Sequence, residues 1–423
     1  MDIFLLAALT CLVIVTIGNV VNRTLRLPWM FSVVVLGLVL STLGLFETTM
    51  ASANFRFLAQ LGMLFFLFTL GLDLELTQIR KLGAYIVGGN ILLTLTEGLV
   101  LALFVYFAFP QFVQHSFVVA LIAGVAFGTV GEVVLLAILK EFGLERTRFG
   151  QLALGIGVFD DMFEILTLAL IIALPAFLAG GATADVWQES ALLVATLLGL
   201  IVGTLALTRL GPLSRRLLQR VPQDSFVMPF TIFMIAFAFI YAGSRQFENL
   251  GVVAAIFSGI AVKQLLPEKA LAHYKKPIFF VGNIFLGPFF FLSLGGRMSF
   301  GALLTYPGLV LAIMAIALGV RMTLSYALFH KLLGKRESLA LGVGLTSKFS
   351  MSVVSENLLF TAGLIAQPLY STMMAAFILL KPIVAGVFSH EVARLQSRSV
   401  ETAAPVPGPG QPVGVAVESD GVR

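Results

Sequence analysis

Residues 118–143 read VVALIAGVAFGTVGEVVLLAILKEFG. The stretch has the length and apolar character of a helix that crosses a bilayer. Its middle does not, because Gly124, Gly128, Thr129 and Gly131 crowd together there and Glu132 follows them. Glycines alone fit close helix packing in a membrane. Glycines that coincide with polar and charged residues fit better a helix that stops inside the bilayer, where freed backbone groups are tolerated only if buried in protein or facing a water-filled cavity. A second stretch behaves the same way: residues 339–363, LALGVGLTSKFSMSVVSENLLFTAG, carry Thr346, Ser347, Lys348, Ser350 and Ser352 at their centre.

Both stretches lie in a chain built for lipid. Of 423 residues, 59% are hydrophobic and 12% charged, against roughly 25% charged in soluble domains; the mean hydropathy is +1.01. Apolar runs recur at helical span length and no alternating barrel pattern occurs, so the fold class is an all-α polytopic membrane protein of about 13 transmembrane helices. The spans are read at 3–21, 27–46, 54–72, 84–109, 116–139, 149–178, 190–208, 225–244, 249–263, 277–296, 302–330, 338–363 and 367–389. Spans five and twelve are the interrupted ones. Broken helices come in pairs in inverted-repeat folds, so spans one to six and eight to thirteen could be two inverted halves joined by span seven. Asp2 stands where a secretory signal carries basic residues, so the first span is read as a retained helix.

The net charge of +5 does not mark nucleic-acid binding, because the cations sort by side. Odd-numbered connections hold Arg23, Arg26, Arg80, Lys81, Lys140, Arg146 and Arg148, then the group from Arg209 to Arg220, the lysines from Lys263 to Lys276, and Lys331, Lys335 and Arg336. Even-numbered connections hold only Arg56, Arg245 and Arg297. By the positive-inside rule the N-terminus faces out and the C-terminus faces the cytoplasm of a cell inner membrane. Residues 395–423, rich in Pro, Gly and Val, read as a flexible cytoplasmic tail after a transmembrane domain of 1–394. The lone Cys11 reads as packing.

Arg321, Lys348 and Lys381 remain within spans, with six acids: Glu97, Glu132, Asp160, Asp161, Glu164 and Glu356. A charge at the bilayer centre costs about 2.5–3.5 kcal/mol on insertion scales, so these groups must be paired, hydrated or used. The densest cluster is GIGVFDDMFEI, residues 155–165. Asp160 and Glu164 share a helix face, and Asp161 meets Glu164 at i,i+3. Ion pairing with the three cations would account for some of these acids structurally. Adjacent carboxylates facing a wet cavity would instead hold a hard monovalent cation through oxygen, and burial and mutual repulsion make a carboxyl readier to take a proton. A carrier that moves when protonated or cation-loaded, but not when bare, exchanges one ion for the other. At the breaks, Lys348 would offset half-helix C-terminal ends and Glu132 the N-terminal ends.

Four stretches resemble the monovalent cation/proton antiporter superfamily, in its bacterial sodium/proton and Kef-like branch: LRLPWMFSVVVLGLVLSTLGLF (25–46), LGMLFFLFTLGLDLELTQIRKLG (61–83), LKEFGLERTRFGQLALGIGVFDDMFEI (139–165) and FFFLSLGGRMSF (289–300). The resemblance implies inverted repeats with core helices at about 84–178 and 302–389, whose two crossed broken helices hold the ion, with the other helices forming a dimerisation domain, and an elevator-like movement of the core in a homodimer. It implies that Asp161 is the essential carrier of cation and proton, that Asp160 helps to hold the cation and contacts a basic residue of helix eleven, and that Thr129 is a ligand near the crossing. In IALGVRMTLSYALFHKLLG (316–334) the basic place falls to Arg321, where the family usually has Lys. A guanidinium keeps its proton in proteins, so Arg321 is a charge partner and not a proton carrier. Glu164 and Lys381 are accessory candidates.

The expected partners are therefore a monovalent cation, Na⁺ before K⁺, protons and the lipid bilayer, with no cofactor and no nucleic acid. A cation channel or ion sensor on the same fold is the alternative, and transport of an organic anion, suggested by the three buried cations, ranks below it. An enzyme ranks last: His115, His273, His330 and His390 fall at span ends and no nucleophile motif occurs.

Overall fold

The computed structural model describes residues 2–25, 28–73, 83–131, 147–179, 227–245, 250–266, 268–348 and 351–403, with scattered positions between 135 and 144 and between 195 and 209. Among the described residues every regular element is helical. Helix α1 (Asp2–Val13) continues through a π-helical turn into α2 (Asn19–Leu25), followed by α3 (Met30–Thr42), α4 (Ala53–Asp73), α5 (Ala84–Ala108), α6 (Phe117–Phe127) and α7 (Arg148–Ala179). Then come α8 (Val227–Ser244), α9 (Leu250–Leu265), α10 (Glu268–Phe279), α11 (Gly287–Gly296), α12 (Pro307–Leu333), α13 (Lys335–Leu345), α14 (Met351–Thr361) and α15 (Gln367–Ala403).

Seven of the described segments are long and apolar enough to cross a membrane, and α3, α6 and α9 are shorter apolar helices. Their bounds follow the expected spans closely at α4, α5, α7 and α8. The expected span at 190–208 lies largely outside the described residues. At the other end α15 runs on to Ala403, so the stretch read as tail from 395 begins as helix. Apolar side chains face outward, among them Phe4, Leu12, Val15, Phe230, Met234 and Tyr241, while Asn90, Glu97, Asp160, Arg321, Lys348 and Glu356 are buried. That inversion of the water-soluble pattern is what a lipid solvent selects.

Two bodies of helices share this interior. In one, α4 lies against α9 and α11, α3 lies against α11, and α8 packs on α9. The approach is close enough that a Cβ at Gly71 would strike the backbone of Ile256 and one at Gly259 the backbone of Phe68 and Leu72. Small residues let membrane helices meet backbone to backbone, where dispersion replaces the missing hydrophobic drive. In the other body α5 packs on α6, α7 and α12, and α14 touches α6, α7 and α15.

The second body contains both interruptions. Helix α6 ends at Phe127, and Thr129, Val130 and Gly131 follow without helical structure. Helix α13 ends at Leu345, and α14 begins at Met351. The breaks touch, since the Gly131 N–H donates to the Ser347 carbonyl at 2.6 Å. Leaving the helix frees backbone donors and acceptors, and here one break partly satisfies the other.

Candidate ion site at the helix crossing

Asp160 lies on α7 beside the first break and is fully buried. The Thr94 hydroxyl, from α5, donates to its Oδ1 at 3.1 Å. Its Oδ2 accepts from the Val130 N–H, a backbone donor that the end of α6 has released. The interruption in the sequence thus supplies the group that holds the first acid of the pair. Thr129 is buried next to it, its hydroxyl donating to the Ala126 carbonyl at 3.0 Å.

Glu164 sits one turn further along α7, also buried. It hydrogen-bonds with the Thr129 side chain and the backbone N–H of Met351, and lies within electrostatic range of Asp160 and Lys348. Met351 opens α14, so Glu164 meets the positive end of a half-helix. That charge was expected to be balanced by Glu132; Glu132 lies outside the described residues. Asp161 belongs to the backbone of α7, and its side chain lies outside them too.

The cations at the crossing converge on a residue that carries no motif. Arg321 Nε stands 2.5 Å from Glu97 Oε2, and Lys348 Nζ stands 2.7 Å from Glu97 Oε1. Arg321 also donates through Nη2 to the Gly128 carbonyl at the end of α6, where the helix dipole is negative. Lys348 lies 4.9 Å from the centroid of the Phe127 ring, a cation–π distance.

The expected contact between Asp160 and Arg321 is replaced by this arrangement. Glu97 on α5 and the Gly128 carbonyl take up the guanidinium fork, and Arg321 reaches Asp160 only through Thr94, from Nη2 to Oγ1 at 3.5 Å. Lys381 on α15 completes the surroundings, donating to Ser347 Oγ at 2.8 Å and lying 5.9 Å from the Phe31 ring. Of the residues singled out in the sequence, Asp160, Thr129, Glu164, Arg321, Lys348 and Lys381 thus gather around the two breaks. Glu97 had no assigned role; its signal was a lone carboxylate in the middle of an otherwise apolar span.

Residues 8–394 match the model of the sodium/hydrogen exchanger transmembrane family. The chain belongs to this family. Two relatives show its spread. A glutathione-regulated potassium-efflux system protein from Klebsiella pneumoniae (strain 342) is 27% identical over 324 residues, covering 75% of this chain and 49% of the relative. The chain thus spans about half the length of that protein. A probable Na(+)/H(+) antiporter from Methanocaldococcus jannaschii is 23% identical over 392 residues, covering 89% of this chain and 94% of the relative. In fold, the sodium proton antiporter MjNhaP1 from the same organism matches with a TM-score of 0.64 at 14% identity, over 94% of this chain and 99% of that one. The exchanger family accounts for the all-helical, multi-pass membrane architecture, and its members among these relatives are transporters.

Proposed function

We propose that the protein is a secondary active transporter that exchanges a monovalent cation, Na⁺ before K⁺, for protons, with Asp161 as the shared site and Asp160 and Thr129 beside it. The observation that carries this reading is the placement of Asp160. Its carboxylate is buried at the contact of two helix breaks and held by Thr94 and Val130, without an ion pair among the described residues. The next residue on the same helix is Asp161. Adjacent carboxylates at such a crossing offer oxygen ligands to a hard cation and, in its absence, a place for a proton. The names of the relatives, one a potassium-efflux protein and two sodium/proton antiporters, support the same class of cargo.

The second body of helices, within about 84–178 and 302–389, is the moving core, and the remaining helices form the scaffold of a homodimer. The N-terminus faces out and the C-terminus faces the cytoplasm. In an elevator-like step the core carries the occupied crossing past the scaffold; a bare, charged site does not move, because an unneutralised carboxylate meets the cost of the bilayer.

The test uses the purified protein in proteoliposomes. Asp161→Asn abolishes cation-induced proton movement while the protein remains folded in detergent. In the wild type the apparent KM for Na⁺ rises as pH falls, because protons compete for the same oxygens. Normal exchange by the folded variant, or a KM that does not move with pH, overturns the proposal.

A further inference from the structure

The electrostatic centre of the crossing is not the acid pair but Glu97, a single carboxylate that holds two cations from different elements. Arg321 comes from the middle of α12 and Lys348 from the second break, at 2.5 and 2.7 Å from its two oxygens. The side chains of Arg321 and Lys348 are wholly buried, and that of Glu97 is 1% exposed, so water does not screen the contacts. The helix that supplies Glu97 also supplies Thr94 one turn earlier, and Thr94 bonds to both Arg321 and Asp160. Asp160 is therefore separated by a single bridging hydroxyl from a cation that Glu97 already occupies.

We infer that Glu97 is a positioning residue: by holding Arg321 and Lys348 it keeps them off Asp160 and leaves the acid pair to the cargo cation. This rests on the exchange reading above. Were the charge of Glu97 removed, two buried cations would lack an anion. Asp160 lies within electrostatic range of both, and its link to Arg321 through Thr94 is already made. Recruiting Asp160 costs the cargo a ligand and sets uncompensated positive charge beside its site. Lys381 does not substitute for either partner, since its ammonium is turned to Ser347 and Phe31, and Glu164 is engaged with Thr129 and Met351. Glu97 need never touch the transported ion.

The arrangement predicts opposite signs for two substitutions and cancellation in their combination. In proteoliposomes, Glu97→Gln raises the apparent KM for Na⁺ at fixed pH about tenfold or more, with a smaller change in maximal rate. Glu97→Asp recovers part of the loss, because the charge is kept. Lys348→Gln lowers KM, since it removes positive charge from the site's edge. The double variant Glu97→Gln, Lys348→Gln returns toward the wild-type KM, which a purely structural role for Glu97 would not produce. An unchanged KM in folded Glu97→Gln, a raised KM in Lys348→Gln, or a double variant no better than Glu97→Gln overturns the inference. If neither single variant folds, the double decides: recovery of a folded, exchanging protein supports the charge balance, and failure refutes it. Exchange lost at Asp161→Asn alongside an unmoved KM at Glu97→Gln would sink this inference alone and leave the exchange reading standing.

Discussion

The contact of α4 with α9 and the crossing of the two breaks are both buried in the same bilayer, and they solve opposite problems. At the first, Gly71 and Gly259 bring two continuous helices together until backbone meets backbone. Neither helix is interrupted there, and Phe65, Phe68 and Leu72 fill the flanks. At the second, the helices stop, main-chain groups are released, and the side chains that answer them are charged: Arg321 for the Gly128 carbonyl, Asp160 for the Val130 N–H. An apolar contact of continuous helices keeps one arrangement. A contact made of charges and freed backbone depends on which ions are present, and that is the property a transporter needs at one place and must avoid elsewhere.

Substitution should separate the two regions cleanly. The largest loss of stability is expected at Arg321→Ala, which leaves the Gly128 carbonyl without its donor and Glu97 with Lys348 alone; breaking a buried pair costs about 3–5 kcal/mol. Chemical unfolding in detergent measures it, and Arg321→Lys should restore only part, since an ammonium cannot span Glu97 and Gly128 as the fork does. A variant as stable as the wild type would show that the crossing is held by packing after all. Next comes Gly71→Val, which drives a side chain into the Ile256 backbone at a cost of about 1–3 kcal/mol. Its folded fraction should keep the wild-type KM for Na⁺, because the contact is made by α4 and α9, outside the crossing. A shifted KM would mean that the two regions are coupled.

The helical frame was open to reading in the sequence because hydropathy and span length report directly on the solvent. Both breaks were legible for a related reason: glycine and hydroxyl residues beside a charge, as at Gly128–Glu132 and Thr346–Lys348, conflict with a continuous apolar helix. Partner choice was not legible. Arg321 stood as near to Asp160 as to Glu97 in any one-dimensional argument, and its direction is set by how α5 and α12 pack, which no local pattern encodes. Glu97 itself is flanked by Leu95, Thr96, Gly98 and Leu99, a neighbourhood without motif, so only the fold brings two cations to it. Lys381 likewise gained a partner, Ser347, only through the packing of α15 on α13.

The finest test of the contrast is Thr94→Val, which keeps the shape of the side chain and removes one hydroxyl. That hydroxyl donates to Asp160 and accepts from Arg321, so its loss takes one of the hydrogen bonds that fix the carboxylate and leaves the one from the Val130 N–H. A hydrogen bond to a charged group is worth about 1.5–3 kcal/mol, but the freed carboxylate can turn toward Arg321 and regain part of it. The net effect on stability is therefore small, about 1 kcal/mol. The effect on transport should be the more visible one: KM for Na⁺ rises severalfold because Asp160 now leans toward the guanidinium, whereas Thr94→Ser, which keeps the hydroxyl, stays near wild type. If Thr94→Val left KM unchanged while Glu97→Gln raised it, control of Asp160 would run through charge alone, and the hydrogen-bonded bridge on α5 would be packing of the kind seen between α4 and α9.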